Sequence, residues 1–408
     1  MTTLEEPVAT RLSAAHQLHR LCQTLLVERE AVIDILTEIS TRRAAEYEYE
    51  CAVRTLQGAD RELAEYDPPQ VGTVAVFLPS NVLLYSYVLY ALVPTLYADR
   101  VVLRPATQIK ETAARLHTFL TARHALPVEL AEVTQREFVE GTLPQADVVV
   151  FTGAYANAEK VRAALRPDQL YFFLGSGINP IVVTQAADVT RAVEGVVDIR
   201  LLNSGQDCLG PDAIWVDRRI HEAFLEGLQR RLAGVRYGPC TDPSADYGPI
   251  VYPGILRQTA DFFCRHQDRI ASGGRIDFAG RRIEPTVLVW ESHHQMEVVE
   301  FFCPVFNVCL YDSEETVAKA LNSTSYAERA MGATVYGESP QLVTALARRH
   351  SLTVNATLLA LDDGNSPLGG RGRMANYVAR GRRVHPEPVL LSKGLADHWP
   401  RPGAVAVA

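Results

Sequence analysis

The 408-residue sequence has no excess of basic side chains, since 40 lysines and arginines stand against 48 aspartates and glutamates, a net charge of −8. A nucleic-acid-binding protein would instead present a basic surface, so we expect no nucleic-acid partner. Cysteines are also few: there are seven, irregularly spaced, with no CxxC pair. This set predicts reduced thiols in a cytoplasmic protein, and argues against a disulfide framework or a structural metal site.

Membrane-targeting features are missing as well. The N-terminus is polar and charged, without the apolar core of a signal peptide. The longest apolar run, residues 82–98, approaches the length of a membrane span, but it contains Pro94 and four tyrosines and is flanked by strand-like segments. The sequence therefore predicts a buried helix between two strands, and no membrane association.

The pattern of apolar residues predicts an α/β fold, in a chain long enough for two domains. Residues 9–66 have apolar side chains at helical spacing, and the helices should end at Asp67-Pro68-Pro69. Short β-branched segments then alternate with amphipathic ones. Strands are predicted near 73–78, 100–104, 128–133 and 147–151, and helices near 82–98, 110–123 and 156–165. Such alternation is typical of a parallel sheet with helices on both faces.

A second alternation of the same kind begins after Cys208. Strands are predicted at 213–216, 287–290, 305–310 and 333–336, and helices at 221–232, 252–266 and 314–321. Two α/β units in tandem, with a cysteine near their junction, are typical of an enzyme with a cleft between its domains.

The segment Asn203-Ser204-Gly205-Gln206-Asp207-Cys208 presents that cysteine after a Gly-Gln turn. A thiolate is a good nucleophile toward a carbonyl carbon, so Cys208 is the candidate nucleophile. The segment resembles the NxGQxC signature around the catalytic cysteine of the aldehyde dehydrogenase superfamily. Because neighbouring residues in extended chain point apart, we expect the Asp207 carboxylate to face away from the site.

The resemblance covers most of the chain and implies an aldehyde dehydrogenase-like fold. It assigns residues 1–174 to N-terminal helices and a Rossmann-like cofactor domain, residues 175–373 to a catalytic α/β domain, and residues 374–408 to a segment returning to the cofactor domain. The family's protruding hairpin before the first strand is missing, which predicts a reduced oligomerisation element. Residues 389–393 are expected to form a strand that pairs across a homodimer.

Asn81 follows Leu78-Pro79-Ser80 where the family has its Pro-Trp-Asn motif. The resemblance implies that its amide, together with the Cys208 backbone N–H, forms an oxyanion hole for a tetrahedral intermediate. The alternative is an asparagine that caps the turn between a strand and a helix.

Several motifs imply a nicotinamide cofactor, NADP(H) or NAD(H). Residues 101–107, VVLRPAT, resemble the family's VVLKPSE, so that Arg104 and Thr107 replace the lysine and glutamate that hold the adenosine ribose. Losing a carboxylate and gaining a guanidinium should favour the 2′-phosphate of NADP(H). Gly153 and Ala154 resemble the Gly-Ser turn beside the pyrophosphate, although Ala154 lacks the hydroxyl.

The segment Glu300-Phe301-Phe302-Cys303-Pro304 resembles the family's ExFGP motif. The resemblance implies that Glu300 holds the nicotinamide ribose and that Phe302 packs near the nicotinamide. Cys303 replaces a glycine, and its side chain could crowd the cofactor or bring a second thiol to the site.

A departure from the family pattern affects the expected chemistry. Phe173 stands where hydrolytic members have the general-base glutamate of their ELGG motif. Without that base, release of the acyl group by water should be slow. The resemblance therefore points to an acylating member that reduces an acyl thioester, carried by coenzyme A or an acyl carrier protein, to an aldehyde through a Cys208 thioacyl intermediate.

Two alternatives stay open. In one, the protein oxidises an aldehyde to an acid, and another residue such as Tyr155 or Glu159 supplies the base. In the other, the departures at Phe173, Ala154 and Cys303 make the chain a binding or scaffold protein without activity.

Overall fold

The computed structural model describes residues 5–175 and 177–400, with side chains from Arg11 onward. The described helices are α1 Glu5–Val27, α2 Arg29–Leu36, α3 Arg42–Tyr66, α4 Leu83–Tyr87, α5 Lys110–Thr121, α6 Gln135–Gly141, α7 Tyr155–Ala163, α8 Val189–Leu201, α9 His221–Ala233, α10 Pro253–Arg265, α11 Glu314–Leu321, α12 Thr324–Ala327, α13 Pro340–Leu346 and α14 Leu391–His398. None of them is long and apolar enough to cross a bilayer.

The strands form two large sheets and one short hairpin. In chain order they are β1 Val71–Phe77, β2 Ala98–Arg104, β3 Val128–Leu130, β4 Val148–Thr152, β5 Leu170–Leu174, β6 Pro180–Val183, β7 Ala213–Asp217, β8 Ile270–Ser272, β9 Ile276–Asp277, β10 Arg282–Ile283, β11 Thr286–Trp290, β12 Val305–Tyr311, β13 Gly332–Tyr336, β14 Ser351–Val354, β15 Asn376–Arg380 and β16 Arg383–His385.

The first sheet has the strand order β16-β15-β5-β4-β1-β2-β3. The five strands from β5 to β3 run parallel, and β15 adds antiparallel to β5. Alternate side chains of β5 enter the apolar layers on opposite faces: Phe172 packs with the N-terminal helices, whereas Phe173 packs on the side of α6 and α7. The predicted parallel sheet with two covered faces is confirmed.

The second sheet has the order β14-β13-β6-β7-β12-β11-β8, in which only β8 is antiparallel. It also separates two apolar layers. The chain enters this sheet at β6, and the nucleophile segment lies between α8 and β7, so the chain returns to the sheet directly after Cys208. The fold therefore consists of two α/β units, as the sequence predicts.

The apolar run predicted as one helix changes its winding along its length. It begins as α4, widens into a π-helical turn at Val88–Leu92 and tightens into a 3₁₀ turn at Val93–Leu96. Pro94 has no N–H to donate, which accounts for the end of regular helix here. At the other end, α3 leads into β1 through four residues only, with Asp67 in the left-handed region (φ 42°).

The prediction of a strand at residues 389–393 is wrong. Leu391–His398 forms α14, and only Val389 makes an isolated bridge, with Leu368 of the same chain. The physical reason is helical periodicity: Leu391 and Leu395, four residues apart, are both buried against the first domain. The helix packs on α3 and β5, so these residues are not available as an intermolecular strand.

Candidate active site

A cavity of about 510 Å³ lies at the carboxyl ends of β1, β2, β4 and β5. Ligands bind at this edge of open parallel sheets because the loops that follow the strands converge there. The nucleophile segment of the second unit closes the cavity from the other side, and Asn81, Gly153, Cys208, Glu300 and Phe302 all contribute to its wall. Ala154 also lines it, so six of the eight predicted site residues share one cavity. The other two, Arg104 and Thr107, do not line it.

The turn before Cys208 is strained and tightly held. Three successive residues have positive φ: Asn203 at 47°, Ser204 at 60° and Gly205 at 78°. A side chain on Gly205 would meet the Cys303 carbonyl at 2.5 Å, so only glycine fits. Ser204 is anchored to Gly248, whose N–H donates to the Ser204 hydroxyl at 2.7 Å. Strain of this kind is typical of a functional site, and here it orients the following cysteine.

Asn81 lies against the nucleophile segment, as the sequence predicts. Its Nδ2 donates to the Gln206 carbonyl at 3.3 Å. A primary amide has two N–H donors, so the second stays available for an oxyanion. The Cys208 carbonyl is held separately by Nδ2 of Asn179 at 2.7 Å. Asn81 and Cys208 thus both line the cavity, and their role as an oxyanion hole stays a prediction.

The surroundings of Cys208 are acidic. Its thiol is partly exposed, yet burial raises its pKa well above the ordinary value, and the charges of Asp207, Asp362 and Glu300 raise it further. The resting side chain is therefore a thiol and needs a proton acceptor to attack a carbonyl.

The expectation that Asp207 faces away from the site is wrong, because its carboxylate belongs to the cavity wall. The side chain turns back and accepts the Leu209 N–H at 2.8 Å, which replaces the extended conformation that the expectation assumed. Burial, with a contribution from the charge of Asp362, raises the pKa of Asp207 to about 6.

Asp362 is a site residue that the sequence did not predict. It follows a 3₁₀ turn at Leu358–Leu361 and lines the cavity. Tyr85 donates to its Oδ1 and Tyr47 donates to its Oδ2, both at 2.9 Å, and the Cys51 thiol lies 3.9 Å from Oδ2. Burial raises the pKa of Asp362, while the two tyrosine hydroxyls oppose that rise. Its only sequence signal is that it stands five residues before Pro367-Leu368-Gly369-Gly370, which resembles the late PFGG motif of the family.

The turn at Gly153 and Ala154 fits a phosphate group. Gly153 has φ 140°, and Ala154 is the N-terminal cap of α7 without any side-chain hydrogen bond to the helix. The first N–H groups of α7 are thus left for another acceptor, and a helix N-terminus favours negative charge. Because Ala154 has no hydroxyl, no side chain at the N-cap competes with a phosphate for these N–H groups.

Arg104 and Thr107 lie next to each other beside Ala106, which lines the cavity. Arg104 Nη2 donates to the Thr107 hydroxyl at 3.2 Å. The buried Nε of Arg104 has no hydrogen-bond partner among the described residues, so a donor remains for an anionic ligand. This arrangement fits a phosphate better than a ribose hydroxyl pair.

Glu300 and Phe302 are in the cavity, whereas Cys303 is not. The Phe302 ring packs edge-on against Tyr252, with centroids 6.3 Å apart. Cys303 is buried beside Thr259, with its sulfur 3.4 Å from the Thr259 hydroxyl, and burial raises the pKa of its thiol to about 11. Of the two consequences left open for Cys303, the structure supports neither, because its side chain points into the second sheet's core.

Phe173 is fully buried and does not line the cavity. Its ring packs on Tyr377 at 5.1 Å and Tyr155 at 6.0 Å between centroids. Glu159 accepts the Tyr377 hydroxyl and pairs with Arg162 at 2.8 Å, outside the cavity wall. The two residues named as substitute bases, Tyr155 and Glu159, are therefore on the wrong side of the first sheet for that role.

Residues 23–374 match the model of the aldehyde dehydrogenase family. The chain belongs to this family. The match covers both sheets up to the turn before β15.

Among curated relatives, the "Putative succinate-semialdehyde dehydrogenase" (NADP+) 2 of Mycobacterium ulcerans is 30% identical over 358 residues, which are 82% of this chain and 65% of that protein. Lactaldehyde dehydrogenase of Escherichia coli is 27% identical over 194 residues, 45% of this chain and 40% of that protein. The chain thus spans less than two thirds of the length of these relatives.

Solved structures show the same fold. Succinic semialdehyde dehydrogenase from Streptococcus pyogenes, in complex with NADP+, superposes with a TM-score of 0.80 at 17% identity, covering 94% of this chain and 88% of that one. Glyceraldehyde-3-phosphate dehydrogenase GapN from Methanocaldococcus jannaschii, complexed with NADP, gives 0.79 at 18% identity, covering 95% and 87%.

Proposed function

We propose that this protein catalyses the NAD(P)-dependent oxidation of an aldehyde to an acid through a thioacyl intermediate on Cys208. The observation that supports this function is the meeting of Cys208, Asn81 and titratable carboxylates in one cavity. Cys208 would attack the aldehyde carbon, and the Asn81 amide would donate to the resulting oxyanion. A bound nicotinamide dinucleotide would accept the hydride.

The cavity and the adjacent turn after β2 supply residues that would hold the cofactor. Gly153 and the open N-terminus of α7 would bind the pyrophosphate, Arg104 and Thr107 a 2′-phosphate, and Glu300 the nicotinamide ribose. The curated relatives named as a succinate-semialdehyde dehydrogenase and a lactaldehyde dehydrogenase support oxidation of an aldehyde over reduction of a thioester.

The place of Phe173 favours a second candidate, reduction of an acyl thioester of coenzyme A or an acyl carrier protein. Its ring is buried away from the cavity, so position 173 supplies no base to activate water. A thiol can exchange with the thioacyl group without such help.

The experiment that separates these functions uses the purified chain and two assays. In the first, a panel of aldehydes is offered with NADP+ or NAD+, and reduced cofactor and free acid are measured. Oxidation should occur without added thiol, Cys208→Ser should abolish it, and Cys264→Ser, an exposed cysteine of α10, should not.

In the second assay, acyl thioesters are offered with NADPH or NADH. Cofactor consumption here, without acid formation in the first assay, would establish the thioester reductase instead. If neither cofactor binds and no thioester acylates Cys208, a binding or scaffold role is the correct one.

A further inference from the structure

The site described above contains a thiol and an oxyanion donor, but position 173 provides no base for the second half of an aldehyde oxidation. The charges of three carboxylates raise the pKa of the Cys208 thiol, and these carboxylates are Asp207, Asp362 and Glu300. Among the described residues that line the cavity there is no histidine or lysine, so a carboxylate is the available proton acceptor.

We propose that Asp362 is the general base that activates water to release the acyl group from Cys208. This assignment rests on the proposed aldehyde oxidation. Asp362 belongs to the segment between the last strand of the second sheet and β15, far in sequence from the family's usual glutamate, so it is a different solution to the same chemical need.

Asp362 is oriented as a base must be. Donors from α3 and α4 hold both carboxylate oxygens: Tyr47 on Oδ2 and Tyr85 on Oδ1, each at 2.9 Å. A carboxylate has about four lone-pair directions, so these contacts fix the group and still leave Oδ1 able to accept a proton. Its partial burial keeps it less hydrated than a surface carboxylate, which makes it a stronger proton acceptor.

Asp207 and Glu300 fit the role less well. Asp207 is nearly buried and its Oδ1 is bound to the Leu209 N–H, within the turn that carries the nucleophile. Glu300 stands in the motif that the resemblance assigns to the nicotinamide ribose. Asp362 lines the cavity from a separate segment, and its charge raises the pKa of the Cys208 thiol.

The step conserves atoms and electrons. The water oxygen bonds to the thioacyl carbon while one water proton passes to Asp362. The tetrahedral oxyanion, held by Asn81, then re-forms the carbonyl and expels the sulfur with the electron pair of the C–S bond. The proton on Asp362 returns to that sulfur, so a carboxylic acid leaves and the thiol is restored.

The test is a rapid-mixing experiment on Asp362→Asn with an aldehyde that the wild-type chain oxidises. The first turnover should still release one equivalent of reduced cofactor per protein chain, which also shows that the variant is folded. Steady-state turnover should fall about 100-fold or more, the usual effect of losing a general base. Intact-mass analysis should find the acyl group on the protein, and it should be absent after Cys208→Ser.

An added small thiol should restore turnover of Asp362→Asn, because a thiol needs little help from a base. Loss of a merely structural contact would not be rescued in this way. Asp168→Asn, an exposed residue in the turn before β5, is the matched control and should keep wild-type turnover.

Three results would overturn the assignment. Asp362→Asn could release acid as fast as wild type, or Asp207→Asn could be the variant that accumulates acyl protein. Slow turnover of Asp362→Asn without acyl protein and without rescue by thiol would show that Asp362 only supports the site. If wild type itself reduces neither NADP+ nor NAD+ with any aldehyde, the proposed oxidation fails, and the assignment fails with it.

Discussion

The Asn81 side chain donates a hydrogen bond of 3.3 Å to the backbone carbonyl of Gln206. Asn81 follows a strand of the first sheet, and Gln206 precedes the nucleophile of the second unit by two residues. This contact joins the two units at the cavity. It holds the amide beside the nucleophile segment before any substrate binds, as the proposed oxyanion donor requires.

We expect Asn81→Ala to lower kcat for aldehyde oxidation about 100-fold, because loss of one oxyanion donor typically raises the barrier by ~3 kcal/mol. The measurement is steady-state turnover, with thermal unfolding to confirm the fold. Asn322→Ala, on the surface of the second unit, is the control and should match wild type. Unchanged turnover in Asn81→Ala would mean that the asparagine serves only as a turn residue.

Glu48 of α3 should make stability depend on pH. It is buried and accepts the Leu84 and Tyr85 N–H groups at the start of α4, and burial raises its pKa from 4.5 to about 8. Between these values the unfolded chain loses a proton that the folded chain keeps. Stability therefore falls as pH rises through this window, by at most about 1.4 kcal/mol per pH unit from this group.

The variant Glu48→Gln tests this dependence. Glutamine keeps the accepting oxygen but cannot ionise, so we expect the variant to gain stability over wild type at about pH 8.5 and to differ little at about pH 5. Urea unfolding at both pH values measures the difference. An equal difference at both would rule out a titrating Glu48.

The charge of the cavity should restrict its substrates. Five carboxylates line it, and among the described lining residues there is no lysine, arginine or histidine; the five are Glu62, Asp207, Glu300, Asp362 and Asp363. An aldehyde bearing a carboxylate would meet like charges without a counter-ion. We expect its kcat/KM to be at least about tenfold below that of an uncharged aldehyde of equal length.

A competition assay with three aldehydes of equal length, ending in a methyl, a carboxylate or a protonated amine, measures this preference. Raising the ionic strength should leave the ranking largely intact, because charges inside a cavity are screened poorly. Preference for the carboxylate would show that the acidic groups do not face the substrate.

Cofactor choice should depend on Arg104. Its Nη2 contacts Thr107, and its Nε is a buried donor without a partner among the described residues. We expect Arg104→Ala to weaken NADPH binding about tenfold or more while changing NADH binding little, since a bidentate contact to a phosphate is lost. Thr107→Glu should shift preference toward NADH. Fluorescence titration of each reduced cofactor gives the affinities, and equal losses for both would count against a 2′-phosphate contact.

Much of the fold could be predicted from the sequence because its signals are local. Period-two and helical patterns located eight of the sixteen described strands and most of the described helices to within a few residues, as for the helix predicted at 252–266 and observed as α10. Residues 389–393 misled because a short apolar run fits either a strand or a helix. Packing against α3 and β5 stabilises the helix, and both elements are far from residues 389–393 in the sequence.

The site was predicted where a motif carries it. Cys208, Asn81 and Gly153 lie in one cavity because each follows a structural element whose end reaches the same edge. Asp362 could not be found in this way, since its donors Tyr47 and Tyr85 come from more than 270 positions earlier in the chain. Asp207 was misjudged because its side chain accepts the Leu209 N–H two residues on, which the assumption of an extended segment did not allow for.

The π-helical turn at Val88–Leu92 brings both Leu89 and Tyr90 to the cavity wall. Such a turn holds one residue more than a regular helix, and each residue rotates the helix face by roughly 100°. Removing a single amino acid there would swing a different side chain toward the bound aldehyde without disturbing the nucleophile. Natural length variation at this turn would thus offer a direct route by which descendants of this chain acquire new specificities.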